Sequence, residues 1–409
     1  MNYFNLIPAI YLYNGKVVDK DTREIIGDGN PVSLATIYDN NGADELLIFD
    51  FSTTDNEHEA NISAMIQIAD AVDIPMIVGG NIKRLEDVKK YIYTGAKKAI
   101  LCSEMNMDLL DEASTRFGSE NIALYSDEEI DESVKKKISM IVSQNSVIKS
   151  DMDVLYIGEQ NIDMFAQGEN AYGVSSVQFD EQFDFMNYKA ELKAQNISVN
   201  VFESPMKFSD FKTNENNMIP VIVQDYKTDK VLMLAYMNED AFNNTIATGK
   251  MTYYSRSRDE LWVKGDTSGH YQYVKELYMD CDVDTMLAKV RQVGVPCHTG
   301  ADTCFFNELV KKEYDNTNPM KVFEDVFNVI LDRKDNPKEG SYTNYLFDKG
   351  IDKILKKVGE EATEIVIAAK NPDPQEIKYE ISDFLYHVMV LMAEKGVSWK
   401  EITKELARR

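Results

Sequence analysis

Residues 45–102 read ELLIFDFSTTDNEHEANISAMIQIADAVDIPMIVGGNIKRLEDVKKYIYTGAKKAILC. The apolar runs Glu45 to Phe51, Pro75 to Val78 and Lys98 to Cys102 alternate with helical-period stretches at His58 to Ala71 and Leu85 to Thr94. Short apolar runs separated by amphipathic helices indicate βα units on a parallel sheet. Upstream, Asn5 to Tyr11 and Pro31 to Asn41 add a further strand and helix. Residues 1 to about 125 therefore read as about four βα repeats. From 126 to 205 the pattern weakens, and Asp153 to Gly158, Ser175 to Phe179 and Ile197 to Phe202 are the candidate strands.

A polar run, Asn214 to Asn217, then leads into Met218-Ile219-Pro220-Val221, a boundary loop entering a new strand. Residues 206–310 mix short β-like runs with turn signals, a mainly β (α+β) pattern. A charged segment, Val310 to Pro319, follows. Residues 320–409 are helical in period at Val322 to Leu331, Asp348 to Ala369, Gln375 to Lys395 and Ser398 to Ala407, with Asn371-Pro372-Asp373-Pro374 as punctuation. The expected organisation is three domains, 1–205, 206–310 and 320–409, the last an all-α bundle.

The 409 residues are 44% hydrophobic and 10% aromatic, enough for packed cores. A formal charge of −25 disfavours nucleic acid and anionic membrane partners, which need a basic surface. The N-terminus lacks the pattern of a signal peptide, and no apolar run approaches the roughly 20 residues of a membrane span. A cytoplasmic protein is expected. Cys281, Cys297 and Cys304 cluster while Cys102 stands apart, and in a reducing compartment such a cluster points to metal.

In Asp280-Cys281-Asp282-Val283-Asp284 an extended backbone would project all three carboxylates to one face, a hard-cation site. Cys281 would point the other way. With Cys297 and Cys304 it offers three thiolates, which leaves an open fourth position on zinc. Zinc so held brings the pKa of bound water toward about 7. A structural zinc staple and simple buried thiols fit the same spacing. Upstream, Arg256-Ser257-Arg258 and Trp262-Val263-Lys264-Gly265-Asp266-Thr267-Ser268-Gly269-His270 combine basic and hydroxyl groups with glycines, suiting a phosphate cradle; a solvated strand edge is the plainer reading of the first part.

From Met218 to about Phe306 the chain resembles phosphoribosyl-AMP cyclohydrolase, through VLMLAYMNEDAF, YYSRSRDELWVKGDTSGH, DCDVD, CHTG and the last cysteine. The resemblance implies zinc on Cys281, Cys297 and Cys304 and magnesium near Asp280, Asp282 and Asp284. It also implies a homodimer whose zinc sites combine cysteines of both subunits, and hydrolytic opening of the N1–C6 bond of the adenine ring. His298 beside a thiol is the first candidate for general base and His270 the second.

In the C-terminal helices, Glu360 and Glu361 fall on the same side as Glu364, and Glu380 and Asp383 repeat the three-residue spacing. Facing helices would converge these carboxylates on magnesium holding a polyphosphate; a solvated acidic face is the alternative. Apolar Ile365, Val366, Ala368 and the stretch Phe384 to Met392 are expected to bury the two helices together. From about Val322 to Leu406 the segment resembles phosphoribosyl-ATP pyrophosphohydrolase, through Arg333-Lys334, Ser341-Tyr342-Thr343, GEEATE and ExxDFLYH. Arg333, Lys334, Ser341, Tyr342 and Thr343 join the cyclohydrolase segment's Arg256, Ser257, Arg258, Trp262, Lys264, Gly265, Thr267, Ser268 and Gly269 as expected substrate contacts. The implied product, phosphoribosyl-AMP, is the substrate of the other segment.

Residues 1 to about 125 resemble the first half of the (βα)8 barrel of the imidazole glycerol phosphate synthase cyclase subunit and its isomerase relative. IPAIYLYNGKVV, GDGNPVSLATIYDNNGADELLIFDF and IPMIVGGNIKRLEDVKKYIYTGAKKAIL carry the likeness. Tyr11 stands where those families place a catalytic aspartate, and a phenol with a reference pKa of about 10 is no carboxylate base. The glycine triplet reads Gly79-Gly80-Asn81. A degenerate or partial barrel without turnover is expected, as scaffold or ligand sensor. Two rival readings of the whole chain are a zinc-stabilised interaction module without turnover, and a housekeeping nucleoside triphosphate pyrophosphohydrolase. The second leaves Trp262 to Gly269 and Cys297 to Cys304 unexplained.

Overall fold

The structure, a computed structural model, describes residues 3–102, 107–145, 148, 150–158, 162–166, 170–315, 317–319, 321–372 and 374–407. It divides into two compact units, Met1–Asn307 and Glu308–Arg409. No helix among the described residues is long and apolar enough to cross a membrane.

The first unit begins with a parallel sheet of the βα type. Asn5–Leu6 and Ala9–Tyr13 are one chain segment interrupted at Pro8, which lacks an N–H to donate. The first piece pairs in parallel with Ala171–Ser176 and the second with Leu46–Asp50. Between those two neighbours run Met76–Gly79, Lys98–Cys102, Ile122–Tyr125, Met140–Ser143 and Val154–Gly158, every pair parallel. The strands therefore close into a ring of eight, filled by side chains such as Leu47, Ile77, Met140 and Leu155. The degeneracy expected of this domain lies in the helices rather than in the strand count. Pro31–Asn40, Asp55–Ala71, Leu85–Tyr93 and Met107–Phe117 are full helices, whereas Glu132–Lys135 and Ile162–Ala166 are single turns. Phe185–Ala194 restores a full helix after the last strand. Of the weakly patterned candidates, Asp153 to Gly158 is a strand. The second candidate runs earlier than expected, as Ala171–Ser176, and Ile197 to Phe202 forms no strand.

The same unit contains a four-stranded sheet in the order Val231–Met237, Ile219–Asp225, Met286–Gln292, Gln272–Met279, with the two middle strands parallel and the outer pairs antiparallel. Glu239–Thr248 packs on it and is capped by Asn238, whose side chain accepts from the Ala241 N–H. The hairpin Thr252–Ser255 with Glu260–Val263 completes this part.

Charged contacts tie the barrel to the sheet. Asp73, just ahead of a barrel strand, accepts from the Tyr226 hydroxyl at 2.5 Å and lies 3.0 Å from both Lys227 and Lys275. Arg291 pairs with Asp39, which is 3% exposed at its side chain, and donates to the Ala71 carbonyl at 2.7 Å. Burial alone would raise the Asp73 carboxyl, but the bonds from Tyr226, Lys275 and Lys227 outweigh it and hold the group far below the usual range. Stability from a depressed carboxyl is present above the unfolded pKa of about 4 and is lost as pH falls through the folded value. Asp73→Ala is therefore expected to destabilise this unit by about 1–2 kcal/mol at neutral pH. The gap from the parent should narrow in acid without closing at pH 2, as read by denaturant midpoints at pH 7 and pH 2.

The second unit is helical: Val322–Asp335, Tyr342–Lys349, Ile351–Ala368, Pro374–Lys395 and Trp399–Ala407. The helix expected from Asp348 instead starts at Ile351, because Gly350 at φ 77° ends the preceding helix and begins the next. Phe327, Ile330, Leu346, Ile354, Met389 and Val390 form the core. The expectation that Val366 is buried fails: it is 63% exposed while Ala368 is 1% exposed, since residues two apart do not share a helix face.

Candidate active sites

The first site is built on loops at the edge of the four-stranded sheet. The Cys304 N–H donates to the Leu232 carbonyl at 2.7 Å and the Thr303 hydroxyl to Val231 at 2.8 Å, so this loop is laid along the outer strand. Cys297 is 6% exposed, with its Sγ 3.1 Å from the Thr299 hydroxyl. Thr299 holds the Cys297 thiol below the usual cysteine range, aided by Cys304. Burial, followed by the Cys297 thiol itself, pushes Cys304 up. The opposed shifts mark two thiols sharing one place, and the ammonium of buried Lys264 acts on both. Burial pushes that ammonium down, while Cys304 and Cys297 work the other way.

Cys281 does not join them. It is exposed, and no group of three or more converging acidic, thiol or imidazole side chains among the described residues contains it. The extended backbone expected at Asp280 to Asp284 is instead the turn between Gln272–Met279 and Met286–Gln292, with Val283 at φ 59°. Asp280 Oδ1 accepts from the N–H groups of Asp284 and Thr285 at 3.0 and 3.2 Å. The turn still brings Asp280, Asp282 and Asp284 within 4.8 Å of one another, by curling rather than by strand alternation.

The cradle residues surround a loop whose form depends on two glycines. Gly265 has φ 105°, and a Cβ there would lie 2.6 Å from the Tyr271 backbone. Gly294, which sequence reasoning passed over, has φ 63° and would place a Cβ 2.5 Å from the His270 ring. His270 is thereby packed on the loop leading to Cys297, whereas His298 is exposed. Thr267, Ser268 and Gly269 are exposed, and Trp262 is half-buried against Tyr253. Arg256 lies 3.9 Å over the Tyr236 ring. Arg258 pairs with Glu260 at 3.2 Å, and Ser257 lies on the same exposed turn.

The second site lies between two helices of the C-terminal unit. Glu361, Glu380 and Asp383 converge within 4.8 Å. Glu364 meets them as well, its carboxyl raised by burial and then by Glu361 and Glu380. Glu360 turns away to Lys356 and Lys357, at 3.3 and 3.2 Å. Lys357 also reaches Glu361 at 2.8 Å. The other expected contacts serve the helices. Ser341 caps Tyr342–Lys349, and the Thr343 hydroxyl meets that of Tyr386 at 2.6 Å. Arg333 pairs with Asp332. Lys334 donates to the Ala393 carbonyl at 2.8 Å, ten residues along the helix from Asp383 and so about 15 Å away.

His387, one helical turn after Asp383, adjoins the carboxylate group, which sequence reasoning did not anticipate. It is 5% exposed, and its Nδ1 lies 2.8 Å from the Asp383 carbonyl, which can only accept. Nδ1 therefore carries the proton, 3.7 Å from Glu361 Oε1, while Nε2 meets the Tyr342 hydroxyl at 3.0 Å. His387→Ala is expected to slow the reaction at this carboxylate site about 10–100-fold, the usual loss when a group orienting a would-be metal-binding side chain is removed. Activity at the thiol site should be unchanged, and His387→Asn, which keeps a donor near Nδ1, should recover part of the rate.

In the barrel, Tyr11 stacks on Phe49 and Phe51 with centroids 5.6 and 5.2 Å away. Asp50, at a strand end, is fully engaged by His58, Asn61 and Tyr91 at 2.6, 2.6 and 2.9 Å. A carboxylate so satisfied orders the core and is not a poised base.

Comparison with known proteins assigns the parts. Residues 233–306 match the family model for phosphoribosyl-AMP cyclohydrolase and residues 323–409 that for phosphoribosyl-ATP pyrophosphohydrolase. A histidine biosynthesis bifunctional protein HisIE from Thermoanaerobacter pseudethanolicus is 49% identical over 209 residues, covering 48% of this chain and 97% of the relative. The chain belongs to the HisIE family. Similar HisIE proteins come from Lactococcus lactis, 50% identical over 49% of this chain and 91% of the relative, and from Bacillus subtilis, 44% identical over 50% and 97%. The chain is thus a bifunctional hydrolase of histidine biosynthesis, from a family of metal-dependent enzymes whose substrates are phosphoribosyl-ATP and phosphoribosyl-AMP. To the two HisIE parts it adds an N-terminal domain matching the family model described as histidine biosynthesis protein over residues 5–166. The donor sets fit metals of two kinds: paired thiols suit a soft ion, and converging carboxylates a hard one.

Proposed function

We propose that the two steps run in order at the two sites, with zinc at the thiols and magnesium at both carboxylate groups. The observation carrying this is the pairing of Cys297 with Cys304 beside Lys264, while Cys281 lies on an exposed turn. Two thiols need a third, and Cys281 of the partner subunit would supply it in a homodimer. When bound, zinc supplies an activated water for attack on the adenine ring, and magnesium polarises the phosphoanhydride between the α- and β-phosphates.

The chain's own groups then bind and orient. Lys264, Arg256, Arg258 and the hydroxyls of Ser257, Thr267 and Ser268 would hold the phosphoribosyl phosphates. Trp262 offers a flat wall to a base, and Gly265 and Gly269 let the loop backbone approach. His298, or else His270, would take the proton released when water adds to C6. Asp280, Asp282 and Asp284 would hold the first magnesium. In the helical unit, Glu361, Glu364, Glu380 and Asp383 would hold the second, with Glu360 positioned through Lys357. Arg333, Lys334, Ser341, Tyr342 and Thr343 remain proposed contacts to phosphoribosyl-ATP. A reducing, cytoplasmic setting would keep the thiols available.

The test supplies purified protein with phosphoribosyl-ATP, zinc and magnesium, and follows pyrophosphate release and the absorbance change of ring opening together. Both signals are expected, with zinc bound and a dimer in solution. Pyrophosphate alone would mean a disabled thiol site. Neither signal would favour a zinc-stabilised interaction module.

A further inference from the structure

The largest cavity described lies in the barrel, about 920 Å³, at the end where the strands terminate. No residue of either hydrolase site is among its lining. Tyr11 and Ser175 reach it from inside the ring, beside their register partners Phe49 and Ile157. Tyr38, Phe165 and Phe179 supply further aromatic wall. Ser175 is 2% exposed, yet its hydroxyl has no hydrogen-bond partner among the described residues, and neither has that of Tyr11. Both hydroxyls therefore keep their donor and acceptor capacity for an atom of a molecule held in the cavity.

The charge around the mouth selects the ligand. Asp19, Asp180 and Glu181 line it, against the single ammonium of Lys20, which pairs with Asp21 at 2.9 Å. Helix starts nearby are closed by their own chain. Asp184 accepts from the Asn187 N–H, and Asn30 from those of Val32 and Ser33. A phosphate would therefore find carboxylates, and these two helix starts already capped. A cation would find those carboxylates and the faces of aromatic rings. The guanidinium of Arg23, 3.2 Å over Phe51, already uses the same aromatic stack in this way.

We propose that the barrel cavity binds a small, flat, non-phosphorylated organic cation, its ring among the aromatic walls, its polar edge on Tyr11 and Ser175, and its charge toward Asp180 and Glu181. With the phenol of Tyr11 on its wall and a chamber of this size, the domain would act as a sensor of that cation.

Calorimetric titration of the full chain at pH 7 tests this, with histamine as the flat cation, L-histidine as the same ring carrying an added carboxylate, and ribose 5-phosphate as the anion. Histamine is expected to saturate one site, with L-histidine weaker and ribose 5-phosphate at least tenfold weaker than histamine. Ser175→Phe, which fills the cavity, should weaken histamine at least tenfold. The exposed pair Asp180→Asn with Glu181→Gln should weaken it several-fold without endangering the fold. Absence of histamine binding, equal or tighter binding of ribose 5-phosphate, or unchanged histamine binding in the exposed double variant would each overturn the proposal. Both hydrolytic activities should be unaffected by these substitutions, so failure here is separable from failure of the two-site assignment.

Discussion

Cys297→Ala is expected to abolish ring opening, by about three orders of magnitude or more, while pyrophosphate release from phosphoribosyl-ATP continues at the parent rate. Three orders correspond to about 4 kcal/mol of lost transition-state stabilisation, the scale expected when a group holding the catalytic ion is removed. The change removes a single sulfur, so its cost in folding is on the order of 1 kcal/mol. Cys297 is the better choice of the two apposed thiols because it is the buried one, held by Thr299. The two-signal assay, with bound zinc measured beside it, separates the steps. Loss of both signals together would sink the assignment of the reactions to separate sites, since Cys297 lies in Met1–Asn307 and the carboxylate group in Glu308–Arg409. Retention of ring opening would sink the role of the thiol pair.

How far the sequence could be read depended on whether the signal was local. Continuous apolar runs such as Glu45 to Phe51 became buried parallel strands because both faces of a barrel strand are covered. Met140–Ser143 is equally buried, yet it is four residues long and follows a lysine-rich run, so its pattern did not stand out. The helix Phe185–Ala194 was hidden by aromatic and polar residues without a clean apolar stripe. Its core residues Phe185 and Leu192 are spaced by two turns, and Lys189 between them is buried through its bonds to Asp44 and the Gly42 carbonyl. The acidic spacing in the C-terminal helices did point to carboxylates that come together in space, Glu361, Glu364, Glu380 and Asp383. It could not tell Glu360 from Glu361, because Lys357 reaches both and the choice is made by burial, which takes Glu361 into the group. His387 escaped because its role depends on Tyr342 from another helix, and Gly294 because its role depends on the position of His270. The turn at Asp280 to Asp284 shows the reverse: the composition was informative and the assumed backbone was not.

Glu361→Ala is expected to do the opposite of Cys297→Ala, reducing pyrophosphate release by about three orders of magnitude and leaving ring opening of supplied phosphoribosyl-AMP intact. Glu361 is 4% exposed and stands at the centre of its group, reached by Lys357 at 2.8 Å and close to Glu364, Glu380 and Asp383. Carboxylates gathered this closely repel one another unless a cation lies among them, which is why the Glu364 carboxyl is raised by Glu361 and Glu380 after burial. That repulsion gives the prediction a second readout. Glu361→Gln keeps the shape but removes a charge, so the metal-free variant should melt at a higher temperature than the parent. Magnesium, which should raise the parent's melting temperature by binding the native state, should raise that of the variant much less. Pyrophosphate release in Glu361→Ala above a tenth of the parent rate would refute the assignment. A metal-free Glu361→Gln that melts below the parent would show that the Lys357 contact outweighs the repulsion, and that the group is held together by its lysine rather than waiting for an ion.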